Sequence, residues 1–225
     1  MDEGRGVSTV DLITAELVLS WRPCSQFPRE RVRELFGDGL TPLEVCGLEV
    51  PSRDRLWVLL RDEIVPIRTM LLLACRWAYG VQPIYDRWHP DDRRVRDGIR
   101  VARRYVLGQT EATALSAVEK RLIAAAAAAA RDSYNGTSVA AETAFAAVRA
   151  TKCFARSARD HYRASLWTEL AVGHVEFASW MAAHINKRSP DAIWAAQLAD
   201  VRAVLTGELD LATEAHAALE TEGVA

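Results

Sequence analysis

The chain has 225 residues, half of them hydrophobic, with 28 basic residues against 30 acidic ones and a formal net charge of -2. That is enough apolar material for a real core, and the near-neutral charge balance excludes a general nucleic-acid coat. Its longest apolar stretch, Leu122 to Ala130, is bracketed by Arg121 and Arg131 and falls far short of the ~20 residues needed to span a bilayer. The opening residues, Met1 to Ser8, show no basic region followed by an apolar one, so a cytoplasmic protein without a membrane role is expected. The four cysteines, Cys24, Cys46, Cys75 and Cys153, are far apart and read as buried, reduced thiols rather than a disulfide frame. Almost all basic residues are arginine.

Taken along the chain, Val10, Ile13, Leu17 and Trp21 suggest a helix over 8–21, and Pro28 to Phe36 a second, stopped by Gly37 and Gly39. Leu40 to Pro51, with its Thr-Pro, Cys-Gly and Val-Pro steps, is the least regular stretch and is expected to hold a short strand or an ordered loop. Ser52 is a candidate cap for a helix carrying Leu56, Leu59 and Leu60. Pro66 opens a long helix to Trp88 with Met70, Leu73, Trp77, Val81 and Ile84 on one face, and Pro83 predicts a kink or break between Tyr79 and Pro83.

Asp91 or Asp92 should cap the next helix, which runs through Ile99, Ala102 and Val106 to a left-handed terminator at Gly108. Thr110 opens a helix to Tyr134, Asn135-Gly136 turns the chain, and Thr137 or Ser138 opens another to Tyr162. A helix over 165–186, one from Ser189-Pro190 to Leu205 and a last one over 208–220 complete the chain. The motif A-R-D-x-Y closes two alanine-rich helices, at 130–134 and 158–162, which suggests a closely packed antiparallel pair. The expected fold class is therefore all-α: one multi-helix bundle of about eight or nine helices, with an irregular N-terminal arm (1–51), a helical core (52–206) and a C-terminal helix (207–225).

Candidate chemistry is sparse. His161, Glu169, His174, Glu176 and His184 share the C-terminal helices, but His174 and Glu176 are two residues apart and face different sides, and neither HExxH nor ExxH is present. No GxSxG elbow, glycine-rich phosphate loop or activated cysteine occurs, so no catalytic, cofactor-binding or metal residue is assigned and a non-enzymatic role is expected. Six tryptophans, Trp57, Trp77, Trp88, Trp167, Trp180 and Trp194, sit where core packing would place them, leaving Trp21 as the candidate for surface exposure.

The strongest charge feature is Arg87, Arg93, Arg94, Arg96, Arg100, Arg103 and Arg104, interleaved with Asp86, Asp91, Asp92 and Asp97. On a helix, Arg93, Arg96, Arg100, Arg103 and Arg104 would share one broad side, opposite Ile99, Ala102 and Val106. Three readings apply: a solvated face, internal ion pairs reaching Asp62 and Glu63, or a surface for an acidic protein partner.

The run Asp91-Asp92-Arg93-Arg94-Val95-Arg96-Asp97-Gly98-Ile99, then Val101-Ala102-Arg103-Arg104-Tyr105 and Gly108, resembles a D-x-R-P-R-x-A-I stretch of the Imm5-like immunity proteins of bacterial polymorphic toxin systems. Asp92, Arg94, Arg96, Ile99, Ala102, Arg103 and Gly108 match that pattern, whereas Val95 stands where proline is usual and Gly98 where alanine is. Arg55-Leu56-Trp57, Ala74-Cys75-Arg76-Trp77-Ala78 and the alanine-rich helices over 111–162 are similar in character. The resemblance implies a small helical cytosolic protein that binds a cognate toxin and blocks it by stoichiometric occlusion, with Asp92, Arg94, Arg96 and Ile99 as motif residues. The alternatives are a helical scaffold or adaptor, and a helical metal-binding enzyme using His161, His174 and Glu169.

Overall fold

In the computed structural model the described residues are 10–131, 137–157, 174 and 190–222. Among them the protein is an all-α bundle with ten named helices and no strand. Four short helices come first: α1 (Ala15–Ser20), α2 (Arg29–Phe36), α3 (Pro42–Cys46) and α4 (Ser52–Leu59). Four long ones follow: α5 (Ile67–Trp88), α6 (Arg94–Val106), α7 (Ala112–Arg131) and α8 (Thr137–Ser157). Then come α9 (Pro190–Leu205) and α10 (Leu211–Glu222). The helix expected over 165–186, its two tryptophans, the tyrosine-bearing ends of both A-R-D-x-Y repeats, and His161, Glu169, Glu176 and His184 lie outside the described residues.

The N-terminal region departs most from expectation. A helix does not begin at residue 8: Thr14 caps α1 by accepting the Leu17 N–H at 3.2 Å, and Ile13 pairs in antiparallel fashion with Leu40 through two backbone bonds of 2.7 and 3.1 Å. Threonine at this point competes for the helix start and leaves Ile13 extended and fully buried. Gly39 makes the pairing possible: its φ is +119°, and a Cβ there would stand 3.2 Å from the Leu12 Cβ. The irregular stretch after Leu40 contains α3, nucleated by a capping box in which Thr41 and Glu44 exchange side-chain and backbone bonds, with Pro42 at the first helical position. Ser52 is the first residue of α4 rather than its cap; its hydroxyl accepts a bond from Arg55.

The long helices form consecutive antiparallel pairs. Arg96 meets Asp86 while Arg103 lies over Tyr79, so residue numbers rise along α6 as they fall along α5. Glu119 of α7 pairs with both Arg149 and Lys152 of α8. Their seam is built from small side chains, among them Ala125 and Ala129 on α7 and Ala140, Ala144 and Ala147 on α8, all buried. Thr143 and Thr151 are buried in the same helix, and their hydroxyls return bonds to the carbonyls of Val139 and Ala147. The alternative of a break before Pro83 is not what forms: Pro83 falls within α5 on its exposed side, and the turns around it are held by Val81 and Tyr85 in the core. Gly108, at φ +74°, terminates α6 as expected.

Beyond the four long helices, α9 packs on α3, α4 and α5, and α10 on α5 and α6. Arg76 of α5 ties both down, donating to Asp200 at 3.2 Å and to Glu214, while the Trp77 indole donates to Asp200 at 3.1 Å. One continuous set of buried side chains runs from Ile13 to Ala215. Two tryptophan expectations are corrected. Trp88 is 57% exposed, because as the last residue of α5 it stands beyond the core that covers Trp77 and Val81. Trp21 is half-buried: its ring meets Trp57 edge-on at 6.2 Å, Arg61 lies over both rings, and its N–H donates to Glu63. Cys24 is exposed, whereas Cys46, Cys75 and Cys153 are buried. Burial pushes the Cys75 thiol up to about 12. No helix of the described residues is long and apolar enough to cross a membrane.

Candidate interface on the arginine-bearing helix

Between α5 and α6 the chain must reverse within five residues, His89 to Arg93. Asp92 organises that turn. Its carboxylate accepts the Tyr85 hydroxyl at 2.6 Å, the Arg94 backbone N–H at 3.0 Å and the Arg94 guanidinium at 2.9 and 3.0 Å. It thus caps α6 from one position before the formal N-cap, Arg93, whose own side chain makes no capping bond. The Arg94 hydrogen bonds hold the Asp92 carboxyl well below the usual carboxylate range, against the opposing effect of burial. Burial, then the bond to Asp92, pushes the Tyr85 hydroxyl up, keeping it a neutral donor. Tyr85 was not singled out in the sequence; its aromatic ring on the core stripe seven residues before Asp92 was the available signal.

The rest of α6 follows from its charge pattern. Ile99, Val95 and Ala102 are buried, and Gly98 sits where α7 comes closest: a Cβ added there would lie 2.6 Å from Cδ1 of the fully buried Leu122. A larger residue at Gly98 would require the Leu122 side chain to shift. Arg96 donates to Asp86 at 2.8 Å, and Asp86 also accepts from Gln82. Arg100 donates to Asp97 at 3.1 Å, and Asp97 stands 3.7 Å from Arg121 of α7.

Arg103 is the correction to the expected arginine face. It is only 3% exposed, with its guanidinium 4.7 Å from the centre of the Tyr79 ring. Arg103 lies four residues after Ile99 and so on the core stripe, where a long stem covered by an aromatic ring is the affordable arrangement for a cation. Of the internal ion pairs, Asp86 takes Arg96 and Asp97 takes Arg100, while Glu63 accepts the Trp21 indole.

What remains outward is a polar groove of about 480 Å³ between α5, α6 and the end of α10, walled by Tyr79, Gln82, Pro83, Asp86, Arg93, Arg96, Asp97, Arg100 and Thr221. Its three arginines exceed its two aspartates. Arg93, Arg87 and Arg104 are exposed, and among the described residues their side chains make no hydrogen bond or ion pair.

His174 is the one member of the histidine–glutamate cluster that is described. It sits in a helix, half-buried, and burial followed by the nearby Arg149 charge lowers its pKa. No group of three or more His, Cys, Asp or Glu side chains that could hold a metal ion occurs among the described residues.

Compared with protein-family models, curated proteins and solved structures, the chain matches none.

Proposed function

We propose that this chain is a stoichiometric binding protein that neutralises a partner protein, a toxin as the Imm5-like resemblance implies, by seating an acidic patch of it against the groove between α5 and α6. The observation carrying this reading is the division of labour among the arginines. Arg94, Arg96, Arg100 and Arg103 are engaged with Asp92, Asp86, Asp97 and Tyr79. Arg87, Arg93 and Arg104 are exposed and, among the described residues, have no hydrogen-bond or ion-pair partner. Arginines of that kind pre-arranged on a rigid helix suit bidentate recognition of carboxylates and steer association. Occlusion needs no reacting group, only such a surface.

The test is a titration against the product of the neighbouring gene, with protection of cells co-expressing it as the functional readout. Reversing Arg93 and Arg104 to glutamate is expected to slow association about tenfold or more at low salt, to flatten its salt dependence and to leave the melting temperature nearly unchanged. An unaltered association rate with a partner that still binds would place the interface elsewhere. A complex that forms without protecting cells would favour an adaptor over an immunity protein.

A further inference from the structure

An apolar concavity lies far along the chain from the arginine groove, among the four short helices. Its walls are Val32, Leu35 and Phe36 of α2, Val45 of α3, and Trp57 and Val58 of α4, and its volume is about 380 Å³. Helices of five to eight residues each bury only one stripe of side chains, and where four of them converge they leave space that longer helices would fill. An apolar void of this size loses stability in proportion to its volume, and entering water finds few hydrogen-bonding partners on its walls. At about 30 Å³ for each water-sized group, it has room for roughly a dozen non-hydrogen atoms.

The mouth is not apolar. Arg22, Arg53 and Arg55 line it, with Asp54 as the single acid, which lies 3.5 Å from Arg53. Two of these arginines retain unused donors. The side chain of Arg22 is exposed and, among the described residues, makes no hydrogen bond or ion pair, and its backbone is held at φ +55°, a conformation costly for a residue with a side chain. Arg55 donates one N–H of Nη1 to the Cys46 carbonyl and one of Nη2 to Ser52, which leaves the second N–H of each terminal nitrogen for a further acceptor. An apolar chamber behind a cationic mouth with free N–H donors is complementary to one chemical class.

We propose that this cavity binds a small amphiphile with an apolar body of about a dozen non-hydrogen atoms and a single carboxylate, the class of medium-chain fatty acids, its head group held by Arg22 and Arg55. The site is separate from the arginine groove and does not depend on the toxin-binding reading. It carries its own reporter, because Cys24 lines the cavity and is exposed while Cys46, Cys75 and Cys153 are buried.

The experiment adds decanoate to the intact protein, below its micelle concentration, and follows alkylation of Cys24 together with fluorescence of Trp57. Expected are one site per chain, at least tenfold slower alkylation at saturation, and binding at least tenfold weaker for decanol, which lacks the charge. Arg22→Gly, which relieves the positive φ and removes the cation, should weaken decanoate and leave decanol unchanged. Leu35→Trp, which fills the chamber, should abolish both, with an unchanged helical signal and a cooperative melt showing that it folds. The proposal is overturned if decanoate fails to protect Cys24 at millimolar concentration, if decanol binds as well as decanoate, or if Leu35→Trp abolishes a protein partner's binding while decanoate never binds. The last result would make the chamber a receptor for a partner's side chain. Reversing Arg93 and Arg104 should leave decanoate binding untouched, so the two readings stand or fall separately.

Discussion

The short-helix region, residues 10–60, and the long-helix core, α5 to α8, achieve order by different means. In the first, no helix exceeds eight residues, and local devices hold the chain: the Thr14 cap, the Thr41–Glu44 capping box and the Ile13–Leu40 bridge. Isolated helices of that length are unstable in water, so α1 and α3 depend on their caps, and all four on the apolar stripe each shares with its neighbours. In the second, helices of 13 to 22 residues lie side by side, with α7 and α8 rich in buried alanines. The contrast explains why an apolar cavity opens in the first region and why the second carries a stiff arginine surface.

Core substitutions should separate the regions most sharply. Leu122→Ala removes a fully buried side chain wedged against Gly98 and should cost about 3–5 kcal/mol in denaturant unfolding. Leu35→Ala, on a half-buried wall that already faces open space, should cost about 1 kcal/mol. Equal losses at the two sites would mean that the short-helix region is packed as tightly as the core.

Caps should differ in the same direction. Asp92→Ala removes a cap and leaves the Tyr85 hydroxyl and the Arg94 guanidinium without their acceptor, an expected loss of about 3 kcal/mol. Thr41→Ala loses one exposed capping box, about 1 kcal/mol. If Thr41→Ala proved the costlier, the turn before α6 would not be the organising point described above.

The smallest effect should come from pH. His174 has a lowered folded pKa, so the stability its neutral form contributes is present above about 6.5, its ordinary value, and is lost as pH falls below that. Asp92 is likewise depressed, and its contribution is lost only further down, below the ordinary carboxylate value of 3.8. Two separate declines in a stability–pH profile are expected, the first removed by His174→Gln and the second by Asp92→Asn. Stability that rises on acidification from pH 7 to 5 would contradict the first assignment.

What the sequence alone determined is what depends on neighbours three or four residues away: the all-helical class, the stop at Gly108, and the stripes of Met70, Leu73, Trp77 and Val81. Even the burial of Arg103 was legible in this way, since it follows Ile99 by one turn and shares its stripe; charge alone had placed it on the wrong face. Contacts between distant segments were not legible. That Ile13 would pair with Leu40, that Pro83 would leave α5 unbroken, that Trp21 would be half-covered by Trp57 and Arg61, and that Gly98 would meet Leu122 were decided only when the helices packed. Helix periodicity assigns a residue to a face, whereas the facing segment and its distance come from tertiary packing, and these set which arginines are engaged and where the apolar cavity opens.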